Sequence, residues 1–505
     1  MKSSALVEAT IPELQAAMRS GRTTSRELVQ KYSDRIARID RAGPRLISMA
    51  EVNPDAFEIA DRLDKERIDR GPRGPLHGIP VVLKDNIATT DKMETTAGSL
   101  ALVGSRPRRE AYVVKKLREA GAVILGKTNL SEWANFRSDY SSSGWSARGG
   151  QVRNPYVLDR SPCGSSSGSA VAVAANLASV ALGTETDGSI LCPSSVNGVV
   201  GIKTTLGLIS RDGVVPVAHS QDIVGPICRT VTDAAILLGA LVGVDKNDAT
   251  TRSSEGKYYS DYTKFLDRDG LSGARIGVPR RVYFGYSPRS DAITDVAIKR
   301  MQELGAKIID PANIPTARRM STSGSEGAVL LHEFKADINH YLSGLANSKV
   351  RSLKDVIDFN EAHKLDELKY FGQDVLLEAQ KAKTLKDPKY LAALRENYHL
   401  SRQKGIDFVM DKHRLDALVT PTTSPSWVID LVDGDHGLGG SSKPTALAGY
   451  PAITVPAGFV FGLPVGITFI GRAYSEPTLI RLAYAFEQAT HHRVPPRYKR
   501  TIALD

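Results

Sequence analysis

Cysteine is scarce in this sequence, and the few that occur are not spaced like metal ligands. The 505 residues include three cysteines, Cys163, Cys192 and Cys228. An odd number without Cys-x-x-Cys spacing indicates neither a disulfide framework nor a zinc site. We therefore expect neither of these, and no metal or other cofactor.

Long apolar runs are also missing. No stretch is long enough to form a membrane-spanning helix, and the N-terminal letters MKSSALVEATIPE contain no hydrophobic signal core. These absences predict a cytoplasmic protein that does not act at a membrane.

The sequence carries an excess of positive charge, but the charge is dispersed. The net charge is +10, from 66 basic and 56 acidic residues. The densest basic groups, at 106–109 and 115–116, are short and have no aromatic residues between them. Nucleic-acid-binding surfaces cluster their basic residues on one face. We therefore expect a basic surface and no nucleic-acid partner.

Helical and strand patterns alternate over most of the chain. Such alternation is typical of an α/β fold with a mainly parallel or mixed sheet that helices cover on both faces. The sequence predicts a single domain with a helical segment at 1–65 and a core at 66–320. A helical insertion, or cap, follows at 321–415, and the chain returns to the core sheet at 416–505.

The residues that could best take part in catalysis lie between Ser161 and Pro193. Two clusters of small residues, at 164–169 and 183–189, flank an Ala/Val-rich segment. That segment predicts a helix at 170–176 and a strand at 179–182. Because glycine permits positive φ and close approach of the main chain, such clusters suit a site whose amides contact a substrate.

Two familiar motifs do not fit this stretch. Residues 164–168 match G-x-S-x-G, the nucleophile elbow of esterases, but no strand is predicted before them. None of the histidines lies in a local sequence that suggests a catalytic base. No lysine follows Gly168, which excludes a nucleotide-binding P-loop.

A lysine offers the base that a serine nucleophile needs. The apolar strand that starts at Gly78 ends in Lys84, where burial would lower the pKa of the ammonium group. A neutral lysine can take a proton from a serine directly or through a second hydroxyl. A carbonyl attacked by Ser189 could then be held by an oxyanion hole of four main-chain amides, those of Thr186, Asp187, Gly188 and Ser189.

The order of these motifs resembles that of the amidase signature family, and the resemblance covers essentially the whole chain. It rests on the following strings: Gly78-Ile79-Pro80-Val81, Lys84-Asp85-Asn86, Ser161-Pro162-x-Gly164-Ser165-Ser166, Asp187-Gly188-Ser189-Ile190, Gly198-x-x-Gly201-Ile202-Lys203-x-Thr205, Asp222-x-x-Gly225-Pro226, Pro421-Thr422, Gly449-Tyr450-Pro451 and Gly462-Leu463-Pro464-Val465-Gly466.

The resemblance implies an amidase-signature fold and hydrolysis of amides through an acyl-enzyme, without a metal. Carried over residue by residue, it makes Ser189 the nucleophile and Lys84 the base. Ser165, held on a cis peptide bond, would pass the proton between them. Ser166 is either a supporting hydroxyl or a partner of the local backbone.

The nucleophile string departs from the family pattern at two positions. Many members have Gly-Gly-Ser-Ile-Arg, whereas this chain has Asp187 first and Leu191 last. Loss of the arginine removes a cation near the acyl site, which argues against substrates with a carboxylate there and against the glutaminase component of tRNA-dependent amidotransferases. Asp187 adds an acidic side chain beside the oxyanion amides.

Longer strings, such as those at 143–150 and 333–336, resemble bacterial peptide amidases. We therefore expect a small-molecule or peptide amide as substrate and a monomer or homodimer as the working form. Related branches hydrolyse aryl acylamides or carbamates, and the motifs do not separate these. The other alternative is a protein like the glutaminase component of the amidotransferases, which works with partner chains.

Overall fold

A mixed sheet forms the centre of the protein in the computed structural model, which describes residues 6–503. The strands of this part of the chain are β1 (Met49–Val52), β2 (Pro80–Lys84), β3 (Val123–Thr128), β4 (Trp145–Ser146), β5 (Gly150–Gln151), β6 (Val180–Glu185), β7 (Val200–Lys203), β8 (Ile223–Cys228), β9 (Arg275–Gly277), β10 (Lys307–Ile309), β11 (Ala417–Pro421), β12 (Ala452–Val460) and β13 (Leu463–Ile470).

Eleven of these strands form the main sheet, in the order β1-β3-β2-β6-β8-β7-β12-β13-β11-β9-β10. Strand β2 is parallel to both of its neighbours, β3 and β6, and β9 is parallel to β10 and β11. The other pairs in the sheet are antiparallel. The predicted mixed α/β sheet is confirmed. Strands β4 and β5 form a separate small hairpin.

Helices flank the sheet. In the described part of the chain they are α1 (Ile11–Arg19), α2 (Ser25–Arg35), α3 (Ala56–Arg70), α4 (Tyr112–Glu119), α5 (Ser167–Ala174), α6 (Leu191–Val196), α7 (Val231–Leu241), α8 (Arg280–Tyr283), α9 (Pro288–Glu303), α10 (Ala317–Thr322), α11 (Ser325–Ser343), α12 (Leu353–Ala362), α13 (Lys364–Glu367), α14 (Asp374–Lys381), α15 (Pro388–Ser401), α16 (Asp407–His413), α17 (Lys443–Ala448) and α18 (Glu476–Thr490). Short 3₁₀ or π-helical segments also occur, at Ile36–Arg41, Leu100–Leu102, Glu132–Asn135, Ala249–Ser254, Thr263–Phe265 and Arg402–Ile406.

Thr24 caps α2 by accepting a hydrogen bond from the amide of Glu27, which satisfies one of the free amides at the start of the helix. Residues 316–413, between β10 and β11, contain helices α10–α16 and no strand of the sheet. The division of the chain into four segments stays a prediction.

The order of elements around α5 decides where the polar loops lie. Helix α5 is wholly buried and contacts β2, β3, β6 and β8. The chain leaves it and returns along β6, which runs parallel to β2, with Val82 opposite Ala181. The carboxyl ends of β2 and β6 therefore meet at one edge of the sheet, beside the loop that precedes α5.

Within residues 6–503, no helix combines the length and the apolar character that a bilayer crossing requires.

The expectation that the cysteines form no disulfide is wrong. Cys163 and Cys192 are bonded, although 29 positions separate them in the sequence. The chain passes out along α5 and back along β6 between these two residues, which brings their Cα atoms to 6.1 Å. Spacing along the sequence carries no trace of this pairing. The third cysteine, Cys228, is buried in β8 and has a free thiol.

Removing this disulfide should destabilise the fold. For a loop of this length, the loss of cross-linking predicts a decrease of about 3–4 kcal/mol in the free energy of unfolding for the Cys163→Ala/Cys192→Ala double variant. Unfolding in urea, with and without a dithiol reductant, measures it. The reductant should destabilise the wild type and leave the double variant unchanged. Three titratable thiols, instead of one, in the unreduced, denatured wild type would contradict the pairing.

Candidate active site

A buried lysine lies at the end of strand β2. Lys84 has no exposed surface, and its Nζ donates to Ser165 Oγ at 2.7 Å, to Thr184 Oγ1 at 2.8 Å and to the Thr184 carbonyl at 3.1 Å. Burial lowers the pKa of Lys84 from 10.5 to about 7, and the charges of Asp222 and Glu185 oppose this shift. The amine therefore changes its charge near neutral pH.

The loop before α5 brings Ser165 to this amine. The peptide bond between Gly164 and Ser165 is cis, as the family resemblance implies. Ser165 is fully buried, and its carbonyl accepts a hydrogen bond from the amide of Ser131 at 3.2 Å. These main-chain contacts and the hydrogen bond from Lys84 hold the Ser165 hydroxyl in place.

Ser189 lies in the turn that follows β6, two residues before α6 begins at Leu191. Its exposure is 8%, and its carbonyl accepts a hydrogen bond from the amide of Ser166 at 3.1 Å. Among the described residues there is no hydrogen bond between the hydroxyls of Ser165 and Ser189. The structure therefore contains the contact between Lys84 and Ser165, and it brings the two serine loops together through the main chain.

We call residues 186–189 the oxyanion loop. Within the described range 6–503, the main-chain amides of Thr186, Asp187, Gly188 and Ser189 donate to no protein acceptor. Gly188 has a φ of +81°, a conformation that suits glycine. The next two amides, of Ile190 and Leu191, donate to Glu185 Oε2 at 2.6 and 2.9 Å. Glu185 thus anchors the start of α6 and does not bind the amides of the loop.

Ser166 binds the end of β6 with both of its hydrogen-bonding functions. Its Oγ donates to the Thr184 carbonyl at 3.0 Å and accepts from the Thr184 amide at 3.2 Å. The hydroxyl therefore joins the start of α5 to the strand that leads into the oxyanion loop.

The two departures from the family pattern occupy different surroundings. Asp187 accepts a hydrogen bond from the hydroxyl of Ser442, and its Oδ2 lies 3.9 Å from Lys443 Nζ. Lys443 also pairs with Glu326, whose pKa burial raises to about 7. Leu191 is 1% exposed and packs within an apolar cluster. The extra carboxylate thus shares the cation Lys443 with Glu326.

A cavity of about 580 Å³ is lined in part by Ser165, Thr184 and Thr186. Its apolar lining includes Ala88, Ala134, Val214, Val215, Val217, Ile223 and Leu345, and its charged lining includes Arg108, Arg109, Arg211, Asp212, Asp222, Asp248 and Asp337. The size is in the range of small-molecule sites. The cavity therefore reaches Ser165 and the first residue of the oxyanion loop.

One group of potential metal ligands lies in the described part of the chain: His219, Glu333 and Asp337. Glu333 already accepts hydrogen bonds from the Ser220 amide at 2.9 Å and from the Tyr390 hydroxyl at 2.8 Å. Asp337 accepts from the amide of His219 at 3.0 Å and faces its ring nitrogen. Hydrogen bonds within the protein account for the group.

Sequence reasoning gives no individual role to three polar residues that surround Lys84. These are Thr184, Glu185 and Asp222, all at strand ends at the same edge of the sheet. The one local signal is a polar pair at the end of the apolar run that forms β6.

Comparisons with known proteins agree with this geometry. A family model for amidases matches residues 27–480. A probable amidase of Arabidopsis thaliana is 46% identical, over 97% of this chain and 92% of the relative. The crystal structure of the native peptide amidase from Stenotrophomonas maltophilia is 50% identical, with a TM-score of 0.93, and the match covers 97% of this chain and 99% of that one.

A component of the glutamyl-tRNA(Gln) amidotransferase of Symbiobacterium thermophilum is 36% identical, over 94% of this chain and 96% of the relative. The matches extend across the sheet, the three polar loops and the helices between them. The chain therefore belongs to the amidase signature family of amide-hydrolysing enzymes.

Proposed function

We propose that this chain hydrolyses the C-terminal amide of peptides, or similarly small linear amides, through an acyl-enzyme on Ser189. The observation that carries the proposal is the 2.7 Å hydrogen bond from a fully buried lysine, Lys84, to Ser165, beside the turn that bears Ser189. A lysine with a pKa near 7 can serve as a base at neutral pH.

The chemistry follows from these positions. Neutral Lys84 accepts the Ser165 proton while Ser165 accepts the proton of Ser189, once a bound substrate has brought the two hydroxyls together. The Ser189 oxygen attacks the amide carbon, and the amides of the oxyanion loop receive the negative oxygen. The proton returns along the same chain to the leaving amine as the carbon–nitrogen bond breaks. Water then attacks the ester, and the acid leaves.

The preference for peptide amides is supported by the relatives and by the cavity. The peptide amidase of Stenotrophomonas maltophilia is 50% identical over nearly the whole chain. The cavity carries apolar side chains that suit the acyl part of such a substrate. We propose that the chain works without a nucleic acid, a membrane or an obligate partner, as a monomer or homodimer.

A substrate panel tests this proposal. Purified protein is assayed with a dipeptide amide, the matching nitroanilide and an aryl carbamate, and kcat/KM is compared. We expect the peptide amide to have the highest value because its leaving group is small and the cavity holds the acyl part. A higher value for the anilide or carbamate would assign the chain to those branches. Activity only when the other components of an amidotransferase are added would overturn the proposal.

Ser189→Ala should leave a folded protein with kcat/KM lower by about 10⁴-fold or more, because the nucleophile is gone. Lys84→Ala should be nearly as damaging. A matched control is Lys127→Ala, since Lys127 is also fully buried but contacts Ile87 O and Thr95 Oγ1 instead of a serine. It should lower the melting temperature and leave kcat/KM of the folded protein close to that of the wild type. Equal losses in both lysine variants would contradict the assignment.

The reaction should become faster as pH rises through about 7. Only the neutral amine of Lys84 can accept a proton, and its fraction rises as pH passes the lowered pKa. Well below that pH, kcat/KM should fall about tenfold per pH unit. The measurement is kcat/KM from pH 5 to 9 with an amide that does not titrate. A profile that is flat from pH 6 to 9, with chemistry limiting the rate, would contradict a lysine base.

A further inference from the structure

We propose that Asp222, which directly precedes β8, is a positioning residue that holds the oxyanion loop against the cavity wall and places a negative charge near Lys84. The inference goes beyond the proposed function but rests on it, since it concerns the same reaction. Asp222 would act through Thr186 and Lys84 and not on the substrate.

The carboxylate of Asp222 joins the oxyanion loop to the segment that precedes β8, next to the strand pairing of Glu185 with Ile223. Its Oδ1 accepts a hydrogen bond from Thr186 Oγ1 at 2.6 Å. Its Oδ2 accepts from the amides of Val217 at 2.8 Å and Ala218 at 2.9 Å. Thr186 is the first residue of the oxyanion loop, and Val217 lines the cavity. Together with the Gln221 side chain, which donates to the Thr186 carbonyl at 3.3 Å, this carboxylate therefore fixes the distance between the loop and the cavity wall.

This distance matters for catalysis. The amides of the oxyanion loop act on a carbonyl oxygen only if the acyl part of the substrate lies correctly against the wall. A misplacement of about 1 Å can cost about 10²-fold in rate. A charged carboxylate with three donors fixes this geometry more strongly than a neutral acceptor does.

The charge of Asp222 has a second effect. Burial raises the pKa of Asp222 to about 6, while Thr186, the two amides and Arg211 oppose the shift. The carboxylate is therefore ionised above pH 6. Two negative charges raise the pKa of Lys84, and that of Asp222 has a larger effect than that of Glu185. Asp222 thus limits how far burial lowers the basicity of the amine.

The other charged groups around this pair have their own partners. Arg211, which faces Asp222, is held by both oxygens of Asp248. Burial raises the pKa of Glu185, the positive charge of Lys203 opposes this shift, and the negative charge of Asp187 adds to it. Removing the charge of Asp222 therefore alters the field at Lys84 while these other pairs stay in place.

The Asp222→Asn substitution separates charge from geometry. An asparagine carbonyl in the place of Oδ2 would still accept from the two amides, and its NH₂ group could donate to Thr186 Oγ1. The hydrogen-bonded framework then survives while the negative charge is lost.

The readout is the pH dependence of inactivation by an alkyl fluorophosphonate, which needs no amide substrate. The Ser189 oxygen forms a bond to phosphorus, fluoride leaves, and the serine proton passes to the base. For Asp222→Asn we expect the midpoint of the profile to move to lower pH by about one unit, as for a lysine that loses an opposite charge nearby. An unshifted midpoint in a folded Asp222→Asn variant would overturn the inference.

Thr186→Val tests the geometric half. This variant removes the hydroxyl that Asp222 binds and keeps the carboxylate charged. We expect kcat with a peptide amide to fall at least tenfold, with the midpoint of the inactivation profile unchanged. A kcat within twofold of the wild type would overturn the positioning role. This test does not depend on whether Asp222→Asn folds.

Two controls keep the outcomes distinct. Asp337→Asn removes a carboxylate that lines the same cavity but does not contact Thr186, and it should leave the midpoint in place whatever its effect on KM. Ser189→Ala tests the proposed function itself. If that variant still reacts with the fluorophosphonate and hydrolyses amides, the proposed function fails. If it does neither and the Asp222→Asn profile is unshifted, only the present inference fails.

Discussion

The removal of one ammonium group from water is the constraint on which the rest of this site depends. Lys84 is fully buried at the end of β2, and its hydrogen bonds all go to Ser165 and Thr184. An isolated charge in such a place is costly, so the amine loses its proton more easily than a lysine in water. The same burial that makes this residue expensive to fold makes it suitable as a base.

The topology of the sheet supplies the surroundings that this lysine needs. Strands β2 and β6 are parallel neighbours, so the end of β6 presents Thr184 to the amine, and the loop that follows carries Ser189. Helix α5 is preceded by Ser166, whose hydroxyl donates to the carbonyl of Thr184 and accepts from its amide. The disulfide joins the loop before Ser165 to the helix after Ser189. The two serines are therefore held by a strand, a helix and a covalent bond.

Much of this arrangement could be predicted from the sequence, but the pattern of an apolar strand that ends in a lysine does not by itself single out Lys84. Three apolar strands end in or near a buried lysine: Lys84, Lys127 and Lys203. The pattern is the same in all three, and only the tertiary contacts put one of them beside a serine. The family resemblance makes the selection. Strand β8 also escapes prediction, because Gly225 and Pro226 argue against a central strand, although β8 lies between β6 and β7.

The most direct measurement is the titration of the Lys84 amine itself, by NMR of protein with ¹³C-labelled lysine side chains. The Lys84→Ala variant identifies its signal among those of the other buried lysines. The account predicts a midpoint near pH 7, well below that of the solvent-exposed lysines. A midpoint near 10.5, the ordinary value for lysine, would contradict it, since the amine would then be charged throughout the range in which the enzyme is proposed to work.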